Sequence, residues 1–160
     1  MAKRRVFISF YHRDEQQDVD NFVEKFSEDY EVFTDKSIDR AADSEDPEYL
    51  NQVCRDAIDG TSVTIVMIGE QTGCRKFVDW EIRYTLHKKH GLVGISRPGL
   101  DDSDACLPMR LSDNRKPGYA KWYKYPASAS SLKAMINEAY AADTNVIDNS
   151  REKMKRNTSC

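Results

Sequence analysis

The chain has 160 residues, 39% of them hydrophobic and 32% charged, with a formal net charge of −3. That is the size of one ordinary domain with enough apolar material for a core. The acidic balance excludes a global basic field for nucleic acid or anionic lipid. No apolar run approaches the roughly 18 residues of a membrane helix, so the expectation is a cytoplasmic protein with no nucleic-acid and no membrane partner.

Val6 to Phe10, VFISF, is a continuous apolar run, the pattern of a strand covered on both faces. A polar loop, YHRDEQQD, follows. Val19, Phe22, Val23 and Phe26 then recur at i, i+3, i+4, i+7 and predict an amphipathic helix. Glu31 to Asp35 reads as a second short strand, and the acidic stretch from Lys36 to Asp46 as an exposed loop. Asp46-Pro47 looks like an N-cap with proline in the first helical position. Leu50, Val53, Cys54, Ala57 and Ile58 form the next helical stripe, with Gly60 as its stop.

Ser62 to Gly69, SVTIVMIG, is the strongest strand pattern in the chain. The following helix spans about Arg75 to Lys89, ended by Gly91, and breaks a rule. Glu81 falls on the stripe of Phe77, Val78, Ile82 and Thr85, which should face the core. Leu92 to Ser96 is a fourth strand. Arg97 to Ala120 carries Pro98, Pro108 and Pro117 and reads as a long irregular loop. Lys121 to Tyr125 is the last strand, and Ser130 or Ser131 caps a final helix with Leu132, Met135, Ile136 and Ala139. The expectation is one domain over residues 1–142 and a polar, disordered tail over 143–160, dispensable for folding.

Strands alternating with helices mean parallel strands joined by right-handed crossovers. The fold class is therefore α/β, a flavodoxin-like doubly wound sheet of five strands in the order 2-1-3-4-5. Ligands in such sheets bind beyond the carboxyl ends of the strands, between strands 1 and 3. Glu81 lies near that place. Two readings stand: a structural, partly buried glutamate that pairs near Arg83, with Lys88 or with Arg75, or snorkels to solvent, and a functional carboxylate in a hydrophobic setting.

Several chemistries are excluded. No strand-3 aspartate is present for a phosphate-accepting receiver, no hydroxyl-rich loop follows strand 1 for flavin, and there is neither GxGxxG nor a Walker lysine loop. Cys54, Cys74, Cys106 and Cys160 are far apart without CxxC spacing, which argues against a zinc site and a disulfide framework. His87 and His90 lack a nearby third ligand, so no metal is expected.

RRVFISFYHRD followed by TSVTIVMIGEQTGCRKFVDWEI resembles the TIR-like family, most nearly the TIR-like (ThsB-type) proteins of the bacterial Thoeris anti-phage system. The resemblance covers about the first 96 residues. It implies an enzyme that cleaves NAD at the nicotinamide–ribose bond and makes a cyclic or modified ADP-ribose messenger for a separate effector. Self-association and a phage-derived trigger come with it. In that family a helix glutamate acts four residues after a tryptophan. The matching positions are Glu81 and Phe77, the aromatic ring being retained. Phe10 and Tyr11 would line the nicotinamide side, and Asp35 with the 36–46 loop would gate the site. NAD is then substrate, with no separate cofactor. The competing readings are a non-catalytic assembly module with a structural Glu81, and a nucleoside deoxyribosyltransferase-like glutamate enzyme, whose motif is absent.

Overall fold

The computed structural model describes residues 3–34, 52 and 55–160. Its strands are β1 (Arg4–Ser9), β2 (Tyr30–Thr34), β3 (Val63–Ile68), β4 (Gly91–Ser96) and β5 (Lys121–Tyr123). They form one sheet in the order β2-β1-β3-β4-β5, with every pairing parallel. This is the expected flavodoxin-like doubly wound topology. The helices are α1 (His12–Phe26), α2 (Lys76–His87), α3 (Met109–Arg115) and α4 (Ala129–Tyr140), and residues 55–59 are also helical. The expected N-cap at Asp46-Pro47 and the stripe positions Leu50, Val53 and Cys54 lie outside the described residues. No helix among the described residues is long and apolar enough to cross a membrane.

The continuous apolar runs follow from burial on two sides. Along β3 all six residues are buried. Val63, Ile65 and Met67 meet Val19, Phe22 and Phe26 of α1 and Leu132 and Ile136 of α4 on one face. Val66 and Ile68 meet Val78, Ile82 and Leu86 of α2 and Leu111 of α3 on the other. A residue period of two thus feeds two cores. Each fully buried aliphatic or aromatic side chain contributes about 1.5–3 kcal/mol.

Strand ends shift by one or two residues, β5 stopping at Tyr123, and three helix boundaries differ from expectation. Helix α1 begins at His12, well before Val19, because the backbone carbonyl of Tyr11 accepts from Asp14 N and Glu15 N at 3.1 and 2.9 Å. Helix α2 stops at His87, with Lys89 turning left-handed at φ 59°, so Gly91 opens β4 rather than ending the helix. The final helix is capped by Ser128, whose hydroxyl accepts from Ser131 N at 3.2 Å.

The stretch 97–120 is not wholly irregular. It contains α3, which starts directly after Pro108 and buries Arg110, Leu111 and Asn114. The helix was hidden because its buried positions are mostly polar. The guanidinium of Arg110 is fully buried and donates to Asp79 Oδ1 of α2 at 2.9 Å. A buried cation needs its remaining N–H groups satisfied. The segment after Asp143 supplies the partners: Asn149 Oδ1 at 2.9 Å, Arg151 O at 2.8 Å and Glu152 O at 3.2 Å.

The expectation of a disordered tail is therefore corrected. Asn114 donates to Asp148 O at 2.7 Å, Met154 N donates to Asp79 Oδ2 at 2.9 Å, and Trp80 Nε1 donates to Met154 O at 2.6 Å. These contacts are backbone and polar, so no apolar stripe betrays them in the sequence. Arg110→Ala should lower stability by about 3–5 kcal/mol, the scale for stranding one member of a buried ion pair. Urea unfolding reads this, and the amides of residues 148–154 should lose hydrogen-exchange protection. A loss below about 1 kcal/mol would remove the pair from its central place.

Candidate functional site

Two buried carboxylates flank the point where the chain leaves β1 and β3. Glu81 is brought there by α2, whose other inward residues are Val78, Ile82 and Thr85. It is fully buried and accepts a hydrogen bond from Ser9 Oγ, at the end of β1, at 2.9 Å. Thr85 Oγ1 donates back to the Glu81 carbonyl at 2.8 Å and lies 2.7 Å from Thr64 Oγ1 of β3. The core-facing stripe thus tolerates Glu81 because hydroxyl side chains line the facing strands, while Lys88 pairs with Asp59 at 3.6 Å and Arg75 donates to Thr158 O at 2.7 Å.

The second carboxylate is Glu15, in the first turn of α1 and fully buried. Its Oε1 accepts from Thr72 Oγ1 at 3.1 Å, and the same hydroxyl accepts from Gly69 N at 2.7 Å. Oε2 has no hydrogen-bond partner among the described residues. A Cβ at Gly69 would fall 1.9 Å from Glu15 Oε1, so any larger residue there would have to displace this carboxyl group. Burial pushes the Glu15 carboxyl up from its ordinary 4.5 to about 7, against the Thr72 hydrogen bond and the Arg97 charge, while Asp14 and Asp18 add to the rise. The helix N-terminus favours a carboxylate by about 0.3–1 kcal/mol, too little to offset removal from water.

The aromatic candidates are placed as follows. Phe10 is 3% exposed, packs with Ile8 and Val19 on the α1 face, and stacks on the His12 ring with centroids 4.1 Å apart. Its neighbour Ser9 holds Glu81, so Phe10 and Glu81 sit at the same end of the sheet, on opposite faces. Tyr11 is half-buried, with the Arg75 guanidinium 4.9 Å from its ring centre. Phe77 is half-buried and meets Trp80 edge-on at 5.7 Å. Asp35 and the 36–46 loop lie outside the described residues.

Glu15 and Thr72 went unnoticed in the sequence, although a signal existed. The α1 stripe of Val19, Phe22 and Phe26, continued one turn backwards, lands on Glu15, as the α2 stripe lands on Glu81. A separate groove of about 470 Å³ runs along the outer side of α2, between Arg55, Trp80, Arg83, Tyr84, Lys88 and Lys153. Glu81 does not line it, since its side chain faces the sheet. The scattered cysteines also converge: the sulfurs of Cys74, Cys106 and Cys160 lie within 4.8 Å of one another, contrary to the expectation from spacing.

A titration separates Glu15 from its surroundings. Below about pH 4.5 the carboxyl is protonated in both folded and unfolded chains. As pH rises towards 7 the unfolded chain ionises first, so stability falls, by on the order of 3 kcal/mol, and stays lowered above that. Glu15→Gln keeps an acceptor for Thr72 and removes the charge. Urea unfolding at pH 4.5 and pH 8 should show wild type losing about 3 kcal/mol more than the variant over that interval. Equal losses would mean that Glu15 is not shifted.

A family model described as Thoeris protein ThsB, TIR-like domain, matches residues 7–102. The match takes in both carboxylates, Ser9 and Thr72, and stops before α3 and the docked tail. No curated protein matches the chain.

Proposed function

The chain belongs to the family of Thoeris ThsB TIR-like domains, and from that premise we propose that it cleaves NAD between nicotinamide and ribose with Glu81 as the catalytic carboxylate. The observation that carries this reading is the Ser9–Glu81 hydrogen bond at 2.9 Å. It holds a carboxyl group at the carboxyl end of β1, where a doubly wound sheet offers its ligand crevice. Departure of nicotinamide leaves an oxocarbenium-like ribose, and a fixed carboxylate stabilises that charge without a metal.

In this reading Tyr11 and Phe77 offer ring surface to the flat groups of the dinucleotide. Phe10 backs the nicotinamide side from its packed position, and Asp35 contributes to substrate binding. Glu81 is sealed from water in the state described, so substrate reaches it only after the site opens. That fits an enzyme held idle until a trigger arrives, such as a phage-derived component or self-association. The product is a cyclic or otherwise modified ADP-ribose nucleotide, which activates a separate effector in anti-phage defence in the cytoplasm. NAD is substrate here and no further cofactor takes part.

One observation favours a second reading. A fully buried Glu81 already bonded to Ser9 is also what a structural glutamate in a protein–protein assembly module would show. Glu81→Gln distinguishes the two. Under activating conditions nicotinamide release from NAD should fall by several orders of magnitude, while the urea midpoint moves little. Near wild-type release by a folded Glu81→Gln protein would reject the catalytic assignment.

A further inference from the structure

The tail ends its course beside two loops that the sheet brings together. Gly73 N donates to Cys106 O at 2.8 Å, and Cys106 N donates to Gly69 O at 3.0 Å. This pairing sets Cys74 Sγ 3.5 Å from Cys106 Sγ. The tail then crosses the start of α2. Lys76 N donates to Asn157 Oδ1 at 2.9 Å, Arg75 Nη2 to Thr158 O at 2.7 Å, and Thr158 N to Cys74 O at 3.0 Å. Asn157 thereby satisfies one of the unpaired N–H groups at the start of the helix that carries Glu81. Two residues past Thr158, Cys160 Sγ lies in contact with the sulfurs of both Cys74 and Cys106.

The Cα separations are 5.8 Å for Cys74–Cys160 and 6.7 Å for Cys106–Cys160. Both fall inside the range a disulfide spans without backbone movement. One sulfur forms one disulfide, so Cys160 has two alternative partners. We propose that Cys74, Cys106 and Cys160 form an oxidation site for hydroperoxides, in which Cys160 bonds to either of the other two and fastens the tail across the start of α2.

The exposures give the order of events: Cys160 is exposed, Cys106 half-buried and Cys74 buried. The Cys160 thiolate attacks the peroxide O–O bond, taking the hydroxyl to become a sulfenic acid and releasing the other oxygen as alkoxide, or as hydroxide from hydrogen peroxide, which takes up the proton that Cys160 lost on ionising. The thiol of Cys74 or Cys106 then attacks that sulfur. The S–S bond forms, the S–O bond breaks, and the hydroxyl leaves with the thiol proton as water. Two thiols lose two electrons and the peroxide gains them. The third thiolate can next attack Cys160 Sγ and expel the first partner, which exchanges the two disulfides with no further oxidation. The consequence is a strap that is held by hydrogen bonds when reduced and covalently when oxidised.

The full chain, reduced with a phosphine and then treated with hydrogen peroxide, gives the test by alkylation and non-reducing peptide mass spectrometry. The expected result is a monomer two hydrogens lighter, with Cys160 peptides joined to the Cys74 peptide in one population and to the Cys106 peptide in another. Cys160→Ser should abolish both links, whereas Cys74→Ser and Cys106→Ser should each keep the other. Amide exchange at residues 148–158 should slow about tenfold on oxidation in wild type and not in Cys160→Ser. Three thiols still alkylatable after peroxide would overturn the proposal. So would crosslinks only between chains or only to Cys54, or a stoichiometric metal ion retained by the three thiolates in the purified protein.

Discussion

The pairing of Arg110 with Asp79 sets the conditions for much of the rest. Both side chains are out of water, and an ion pair there is tolerated only when every remaining donor and acceptor is met. Arg110 spends its other N–H groups on Asn149, Arg151 and Glu152, and Asp79 spends its second oxygen partly on Met154 N. Four segments are thereby tied at one point: α2, α3, and two parts of the tail. Asp79 lies two positions before Glu81, roughly opposite it around the helix. Holding Asp79 on the outer side of α2 fixes the rotation that points Glu81 at the sheet.

The sheet end shows the same problem solved with hydroxyls. A carboxylate buried without partners would be driven to neutrality. Ser9 and Thr72 each supply one hydrogen bond, to Glu81 and Glu15 respectively. Glu15 is pressed against Gly69 with one oxygen unmatched among the described residues, and burial wins over its single hydroxyl. Two carboxyl groups from different helices are thus buried near the ends of β1 and β3, one held by Ser9 of β1 and the other by Thr72 of the turn after β3. A one-residue slip of β1 against β3 would turn Ser9 away to the α1 face and break its hydrogen bond to Glu81.

The sequence by itself determined the strand and helix periods, and with them the doubly wound topology and the strand order. These follow from local patterns: VFISF and SVTIVMIG are apolar at every position because both faces are covered, and a stripe at helical spacing names the inward side of each helix. Glu81 was legible for the same reason, as a charge standing within an apolar stripe, and Glu15 would have been by extending the α1 stripe backwards. What only the tertiary structure decided is everything held by long-range polar contacts. Helix α3 hides because its buried face includes Arg110 and Asn114. The tail looks like a free end because it docks through backbone groups and polar side chains, which leave no apolar period. Cys74, Cys106 and Cys160 look unrelated because loop pairing, not spacing, brings them together. Hydrophobic burial leaves a period in the sequence; a hydrogen bond between residues 40 or 80 positions apart leaves none.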